Sequence, residues 1–293
     1  MTPGSFEYMA PTTLSEALES MERLGDDAKV LAGGQSLIPL MKLRFASFPN
    51  IIDISRINGL KFIRYEGGML RLGPMTTTAE LEGSAEVAKY FPAIADAAAH
   101  IADPLIRNMG TIGGNVCHAD PGNDLPAVMI SLGAEFHIKS KKGTRKVNAA
   151  DFFVDTFVTS IGRGELLAEI SIPAGDHLTG SAYIKHKRRA GDFSVAGVAV
   201  CLSFSEDHKC MSAGIGLTSV GPKAIKARKA EDELTGRVID GNAVKEAAEA
   251  AVEESDPADD FYGTREFKRH VLLGITAEAI TLAASRAGVK VMQ

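Results

Sequence analysis

The sequence predicts an α+β fold in three successive parts, and three observations carry that prediction. Helical periodicities and strand-like apolar runs are interspersed along the chain without an internal repeat. The pattern changes from strand, turn and helix to hairpin signals near Ser55, and a Pro173-Ala174-Gly175 break precedes a second boundary near Asp176 to Gly180. Two Gly-Gly turns, at Gly33-Gly34 and Gly113-Gly114, each follow apolar residues and precede a polar one. The parts therefore run over residues 1–55, 56–176 and 177–293. A chain of 293 residues with 45% hydrophobic content is long enough to give them large cores.

Taken in order, a first helix is expected over 14–24, where Leu14, Ala17, Leu18, Met21 and Leu24 recur at helical spacing, Thr13 supplies a cap and Gly25 a stop. Residues 28–31 read as a short buried strand, 36–45 as a helix with Pro39 in its first turn, and 50–54 as another strand. Beyond the first boundary, 62–64 and 69–72 flank the hairpin turn Glu66-Gly67-Gly68. Residues 76–82 form a short capped helix. Residues 92–101 form an alanine-rich helix packed against something flat, with His100 as a polar residue at its end. Residues 125–132 are apolar enough for a buried helix with Pro126 in its first turn. Strands follow at 134–139, 146–147 and 166–172. The last part holds strands at 182–189, 195–204 and 211–218, and helices at 225–234, 243–254 and 265–287, with 253–260 as an acidic solvated loop.

Chemistry concentrates in Arg107 to Pro126, RNMGTIGGNVCHADPGNDLP. Gly110, Gly113 and Gly114 leave backbone without Cβ atoms, flanked by Thr111 and Asn115, and successive N–H groups in such a turn can converge into a nest for anions, phosphate above all. The earlier turn, Ala32-Gly33-Gly34-Gln35-Ser36, stands between a strand and a helix N-terminus, where unpaired N–H groups hold a diphosphate with few basic side chains. Two turns of one design point to a single ligand. Neither is a G-x-G-x-x-G or a G-x-x-x-x-G-K-[ST] pattern, which removes the main support for a nicotinamide-type Rossmann fold or a P-loop. Asp124 either caps the following helix or reaches the ligand, where a carboxylate is a suitable acceptor for hydroxyl groups.

Other classes lose ground on composition. A net charge of −5 gives no basic field for nucleic acid, no apolar run is long enough to span a bilayer, and the N-terminal residues lack signal-peptide features, so a cytoplasmic location is expected. Cys117, Cys201 and Cys210 are too few and too spread to ligate an iron–sulphur cluster; Cys201 and Cys210 read as buried apolar residues, while Cys117 stands near any cofactor pocket. His118, Asp120 and Asp124 lack a second ligand cluster, so no metal site is assigned. No Ser/His/Asp arrangement or carboxylate pair is spaced for hydrolysis, so no catalytic residue is assigned.

AGGQSLIPLMKLR at 32–44, RNMGTIGGNVCHADPGNDLP at 107–126, GELLAEISIP at 164–173 and KRRAGDFSVAGVAV at 187–200 occur in the order and spacing of one family. The chain resembles, over nearly its whole length, the FAD-binding medium subunits of molybdenum hydroxylases (the xanthine dehydrogenase family), most closely those of the carbon monoxide dehydrogenase type. The resemblance implies the two-subdomain FAD-binding fold of the vanillyl-alcohol oxidase and molybdopterin dehydrogenase type plus a C-terminal α+β domain. It also implies FAD contacts from Ala32, Gly33, Gly34, Gln35 and Ser36, from Thr111, Ile112, Gly113, Gly114 and Asn115, from Asp124, from the Leu167 backbone and from Lys185. Lys185 is either a cation beside the flavin pyrimidine edge, stabilising the anionic reduced ring, or one member of a basic surface cluster reaching to Arg189. Phe193 matches a position beside the flavin that is often tyrosine in relatives, so tuning through a hydroxyl is lost. Leu105 stands where many relatives carry glutamine.

The implied function is electron transfer through FAD to an external acceptor. A large molybdenum pterin subunit and a small subunit with two iron–sulphur clusters are the implied partners, in a dimer of heterotrimers whose partners could bring the chain to the inner face of the membrane. The substrate would be carbon monoxide, an aldehyde or an N-heterocycle. Two other readings stay open at this point: a self-contained flavin oxidase of the vanillyl-alcohol type, with His118 or Cys117 as a flavin tether, and a scaffold that has lost FAD.

Overall fold

The computed structural model describes residues 2–175 and 178–292, so Asp176 and His177, on which the second predicted boundary begins, lie outside the described residues. The first part is a three-stranded parallel sheet of β1 (Glu7–Met9), β2 (Ala28–Leu31) and β3 (Asn50–Asp53), in the order β1-β3-β2. Parallel strands need crossovers, supplied here by α1 (Leu14–Leu24) and α2 (Leu37–Lys42). Thr13 caps α1 in a full capping box with Glu16, and Ala17, Leu18, Ile52 and Ile54 make its core. The helix expected over 36–45 ends at Lys42, and Arg44 takes a left-handed conformation at φ 65° that a continuing helix would forbid.

The second part is a five-stranded antiparallel sheet covered by helices. It contains β4 (Ile63–Glu66), β5 (Met69–Leu72), β6 (Glu135–Ser140), β7 (Gly143–Asn148) and, closing it later, β10 (Leu166–Pro173), in the order β4-β5-β10-β6-β7. Gly67 and Gly68 turn the first hairpin at φ 59° and 73°, as the sequence predicts. Between β5 and β6 lie α3 (Thr78–Gly83), α4 (Ala85–Tyr90), α5 (Pro92–His100), α6 (Pro104–Met109), α7 (Ile112–His118) and α8 (Asp124–Ser131); α9 (Ala149–Phe152) and the small hairpin of β8 (Phe153–Asp155) and β9 (Val158–Thr159) precede β10. Four of these short helices were not expected, because helices of four to seven residues carry too few turns for a periodicity.

The third part is the antiparallel sheet β11 (Thr179–His186), β12 (Ala196–Phe204), β13 (Cys210–Thr218) and β14 (Ile225–Lys226), backed by α10 (Arg228–Leu234), α11 (Gly241–Glu254) and α12 (Arg265–Arg286). Residues 225–226, expected in a helix, are the edge strand β14, and the first strand begins and ends three residues earlier than predicted. The flat surface under α5 is this sheet: Ala93 N–H donates to Ser181 Oγ at 3.3 Å, and Asp96 accepts from Tyr183 N–H at 3.1 Å. On the same side α8 approaches β13 so closely that a Cβ on Gly214 or Gly216 would lie 2.0 Å from a carbonyl oxygen of Ser131 or Ala127. The second and third parts are thus joined through α5 and α8, and α8 carries Asp124 at its first position. The loop after α11 is less solvated than predicted, since Asp260 accepts from the buried Lys268 at 2.6 Å.

Candidate functional site

The first glycine turn follows β2 and leads into α2. Gly34 adopts φ 75°, a conformation open to glycine at no steric cost. Gly33 has a different reason to lack a side chain: a Cβ there would stand 2.0 Å from the Met109 carbonyl oxygen and 3.0 Å from Gly110 Cα. The turn therefore lies directly on the end of α6, and Gln35 Cγ packs against Gly110. Ala32 faces Gly114 across the same junction, at 3.7 Å from the position of a Cβ on that glycine. The two motifs, 75 or more residues apart in sequence, are one contact in space.

Their backbones are used differently. Among the described residues, none of the N–H groups of Gly33, Gly34, Gln35, Ser36 and Leu37 donates to a protein acceptor; the first one spent is that of Ile38, on Gly34 O at 3.0 Å. The Ser36 side chain does not cap α2. This run of unspent donors, with the helix dipole behind it, is what an anion such as a diphosphate requires.

The second motif is not the open nest expected from sequence. Thr111 caps α7, and Ile112 to Asn115 form its first turn. Ile112 N–H goes to Thr76 O, Gly113 N–H to Pro74 O and Asn115 N–H to Thr111 O, each at 2.9 Å, while Gly114 N–H goes to Thr111 Oγ1 at 3.1 Å. Gly113 is needed for packing, since a Cβ would meet Pro74 Cβ at 2.4 Å, and Ile112 is a core side chain with no exposure. One buried polar atom of the motif remains unused: Asn115 Oδ1 has no partner among the described residues, a costly state for an amide oxygen unless a ligand supplies the donor.

Asp124 does not cap α8; Asn123 holds the cap position without a side-chain bond. Its carboxylate is buried, accepts from Tyr183 Oη on Oδ1, and accepts from Lys185 Nζ on Oδ2 at 2.9 Å. Burial pushes the carboxyl above its usual range, against the pull of Lys185 and Tyr183. Lys185 is correspondingly not a surface residue. Its side chain is 2% exposed and also donates to His100 O at 3.4 Å, at the end of α5. A pair buried this deeply persists through its geometry, and removing one partner costs about 3–5 kcal/mol. Sequence reading passed over Tyr183, although its two-residue spacing from Lys185 on a strand puts both side chains on one face.

Leu167 lies at a bulge in β10 with its side chain buried, which leaves its backbone as the part available to a ligand. Phe193 is exposed and its ring packs on Gly122, two residues before Asp124. Cys117 is partly buried against the core of the second part, and desolvation pushes its thiol up to about 12. His118 is held by the Phe157 ring, with centroids 5.0 Å apart, and burial lowers its pKa. Among the described residues no group of three or more His, Cys, Asp and Glu side chains is arranged to hold a metal ion, and no helix is long and apolar enough to cross a membrane. The unspent donors of the first turn, the unpartnered Asn115 Oδ1 and the buried Lys185 fit a ligand that carries both phosphate and hydrogen-bonding polar groups, as FAD does.

Comparison with known proteins agrees with that chemistry. Residues 4–175 match the family described as FAD binding domain in molybdopterin dehydrogenase, and residues 181–283 match the CO dehydrogenase flavoprotein C-terminal domain. The carbon monoxide dehydrogenase medium chain of Hydrogenophaga pseudoflava is 41% identical, with 98% of this chain and 99% of the relative covered. The glyceraldehyde dehydrogenase medium chain of Sulfolobus acidocaldarius is 34% identical, with 95% and 98% covered. Among solved structures, a chain of carbon monoxide dehydrogenase from Hydrogenophaga pseudoflava superposes with a TM-score of 0.95 at 42% identity, covering 98% of this chain and 99% of that one. A chain of quinoline 2-oxidoreductase from Pseudomonas putida 86 gives 0.90 at 34%, covering 98% and 99%.

Proposed function

This chain belongs to the FAD-binding family of molybdopterin dehydrogenases, and from that premise we propose that it is the FAD-carrying medium subunit of a molybdenum hydroxylase. FAD, when bound, takes up electrons from iron–sulphur clusters and releases them to an external acceptor. The chain's own residues bind and orient it. The N–H groups of Gly33 to Leu37 receive the diphosphate, Gly114 and Ala32 keep the space between the two motifs clear, Asn115 Oδ1 takes a donor from the cofactor, and the Lys185 ammonium, fixed by Asp124, supplies a cation. The Leu167 backbone and Phe193 complete the set, and the chain divides into working units at 1–55, 56–176 and 177–293.

The observation that carries this reading is the run of unspent N–H groups at the junction of the two glycine motifs. The partners are a large molybdenum pterin subunit and a small iron–sulphur subunit, in a dimer of heterotrimers located in the cytoplasm. A self-contained flavin oxidase is disfavoured by relatives of the same length that are named as chains or subunits of larger enzymes. The test is to isolate the natively expressed protein and to measure flavin, iron and molybdenum together. Flavin on this chain, with iron and molybdenum on two further chains, is the expected result; an isolated flavoprotein that oxidises a substrate alone would reject it. Substrate trials then begin with carbon monoxide and aldehydes.

A further inference from the structure

We propose that Tyr183 is a positioning residue of the cofactor site, acting through Asp124 to hold the Lys185 ammonium in one place for FAD. The inference rests on the FAD reading above and extends it to a residue that neither motif contains. Tyr183 and Lys185 alternate along β11, so both side chains leave the same face of the sheet and converge on the first residue of α8. Each takes one oxygen of the Asp124 carboxylate, Tyr183 Oη on Oδ1 and Lys185 Nζ on Oδ2. The carboxylate is therefore held from two sides and cannot turn without losing a bond.

The sheet is built to keep the hydroxyl there. Gly197 is the register partner of Lys185 on β12, and a Cβ at that position would lie 2.5 Å from Tyr183 Oη and 2.7 Å from Thr218 Cγ2. Any side chain at 197 would displace the hydroxyl. Tyr183 itself is 1% exposed, so its ring has no freedom to swing away. An ammonium carries three donors. Asp124 and the His100 carbonyl take two, and among the described residues there is no third acceptor. The remaining donor is the one the chain leaves to a ligand, and its direction is set by the carboxylate that Tyr183 fixes.

The experiment uses the full chain in its native complex and substitutes Tyr183→Phe, which removes the hydroxyl and keeps the ring. The FAD dissociation constant is expected to rise about tenfold, the effect of losing the one hydrogen bond that the Lys185 ammonium, once its direction is no longer fixed, leaves to the ligand. The bound flavin should also become harder to reduce, because the loosened carboxylate then draws the ammonium towards itself. Made on an Asp124→Asn background, the same substitution should change neither quantity. Wild-type affinity and reduction potential in Tyr183→Phe, or an equal shift on the Asp124→Asn background, would overturn the proposal. Should Tyr183→Phe not fold, Gly197→Ala displaces the hydroxyl and must shift the flavin in the same direction; an unchanged flavin there also overturns it. A wild-type chain without flavin would reject the functional reading itself, whereas flavin-loaded wild type with an indifferent Tyr183→Phe would reject this inference alone.

Discussion

From Gly33 to Leu37 five consecutive backbone N–H groups find no acceptor among the described residues, whereas from Ile112 to Asn115 every N–H is already given to Pro74, Thr76 or Thr111. The two glycine motifs are neighbours in space and similar in sequence, yet one offers donors and the other has spent them. The second builds the wall: its glycines let α7 settle on Pro74 and leave the first turn room. Similar composition thus conceals a division of labour, with presentation assigned to the turn after β2 and support to the first turn of α7.

The strongest way to break this comparison is Gly33→Ala. The added methyl would stand 2.0 Å from a backbone oxygen that cannot swing aside, so the two motifs must part. A loss of about 3 kcal/mol or more is expected in thermal or denaturant unfolding, together with loss of flavin. Gly114→Leu comes next. Its side chain starts 3.0 Å from Thr111 Oγ1 and points towards Ala32, into the space between the motifs. Flavin binding should be abolished at an apo-stability cost of about 1–3 kcal/mol, and full flavin occupancy in that variant would contradict the site.

A matched pair sharpens the contrast. Thr111→Val removes the acceptor for Gly114 N–H and should cost the apo chain about 1 kcal/mol. Ser36→Ala removes a side chain that makes no cap bond, and should leave apo stability within about 0.5 kcal/mol. Equal losses in the two would erase the asymmetry. The smallest effect is in pH. Burial lowers the pKa of His100, beside Lys185, and of His118, at the end of α7. Between the lowered folded value and the ordinary one of about 6.5 the unfolded chain binds more protons, so stability is full above that range and falls as pH drops through it. Apo melting temperatures measured from pH 7.5 to 5 should decline, and His118→Gln should flatten the decline.

Much of the fold was legible because long elements have a period. The strands β2 to β6 and β10 to β13 and the helices α1, α5, α8, α11 and α12 follow from apolar spacing, whereas β1 was not foreseen and β14 was expected in a helix; Thr13 and Gly25 act as the predicted start and stop of α1. The short helices α4, α6, α7 and α9 have no such signal. The glycine-rich α7 was hidden further by residues that disfavour helices in isolation, and it exists because Pro74, Thr76 and Thr111 accept its first N–H groups. The two motifs could be found in sequence, but whether an N–H is free or spent depends on Pro74 and Thr76, which no local pattern connects to Gly113. Asp124 and Lys185 were found as separate candidates. Their pairing, and the part of Tyr183 in it, required the sheet register to bring residues about 60 positions apart together.

The most direct measurement is amide hydrogen exchange on the full chain with and without FAD. The amides of Gly33 to Leu37 should exchange quickly in the apo chain and become protected when FAD is added, while those of Ile112 to Asn115 should be protected in both states. Unchanged exchange at Gly33 to Leu37, or a gain of protection shared equally by the two motifs, would contradict the account.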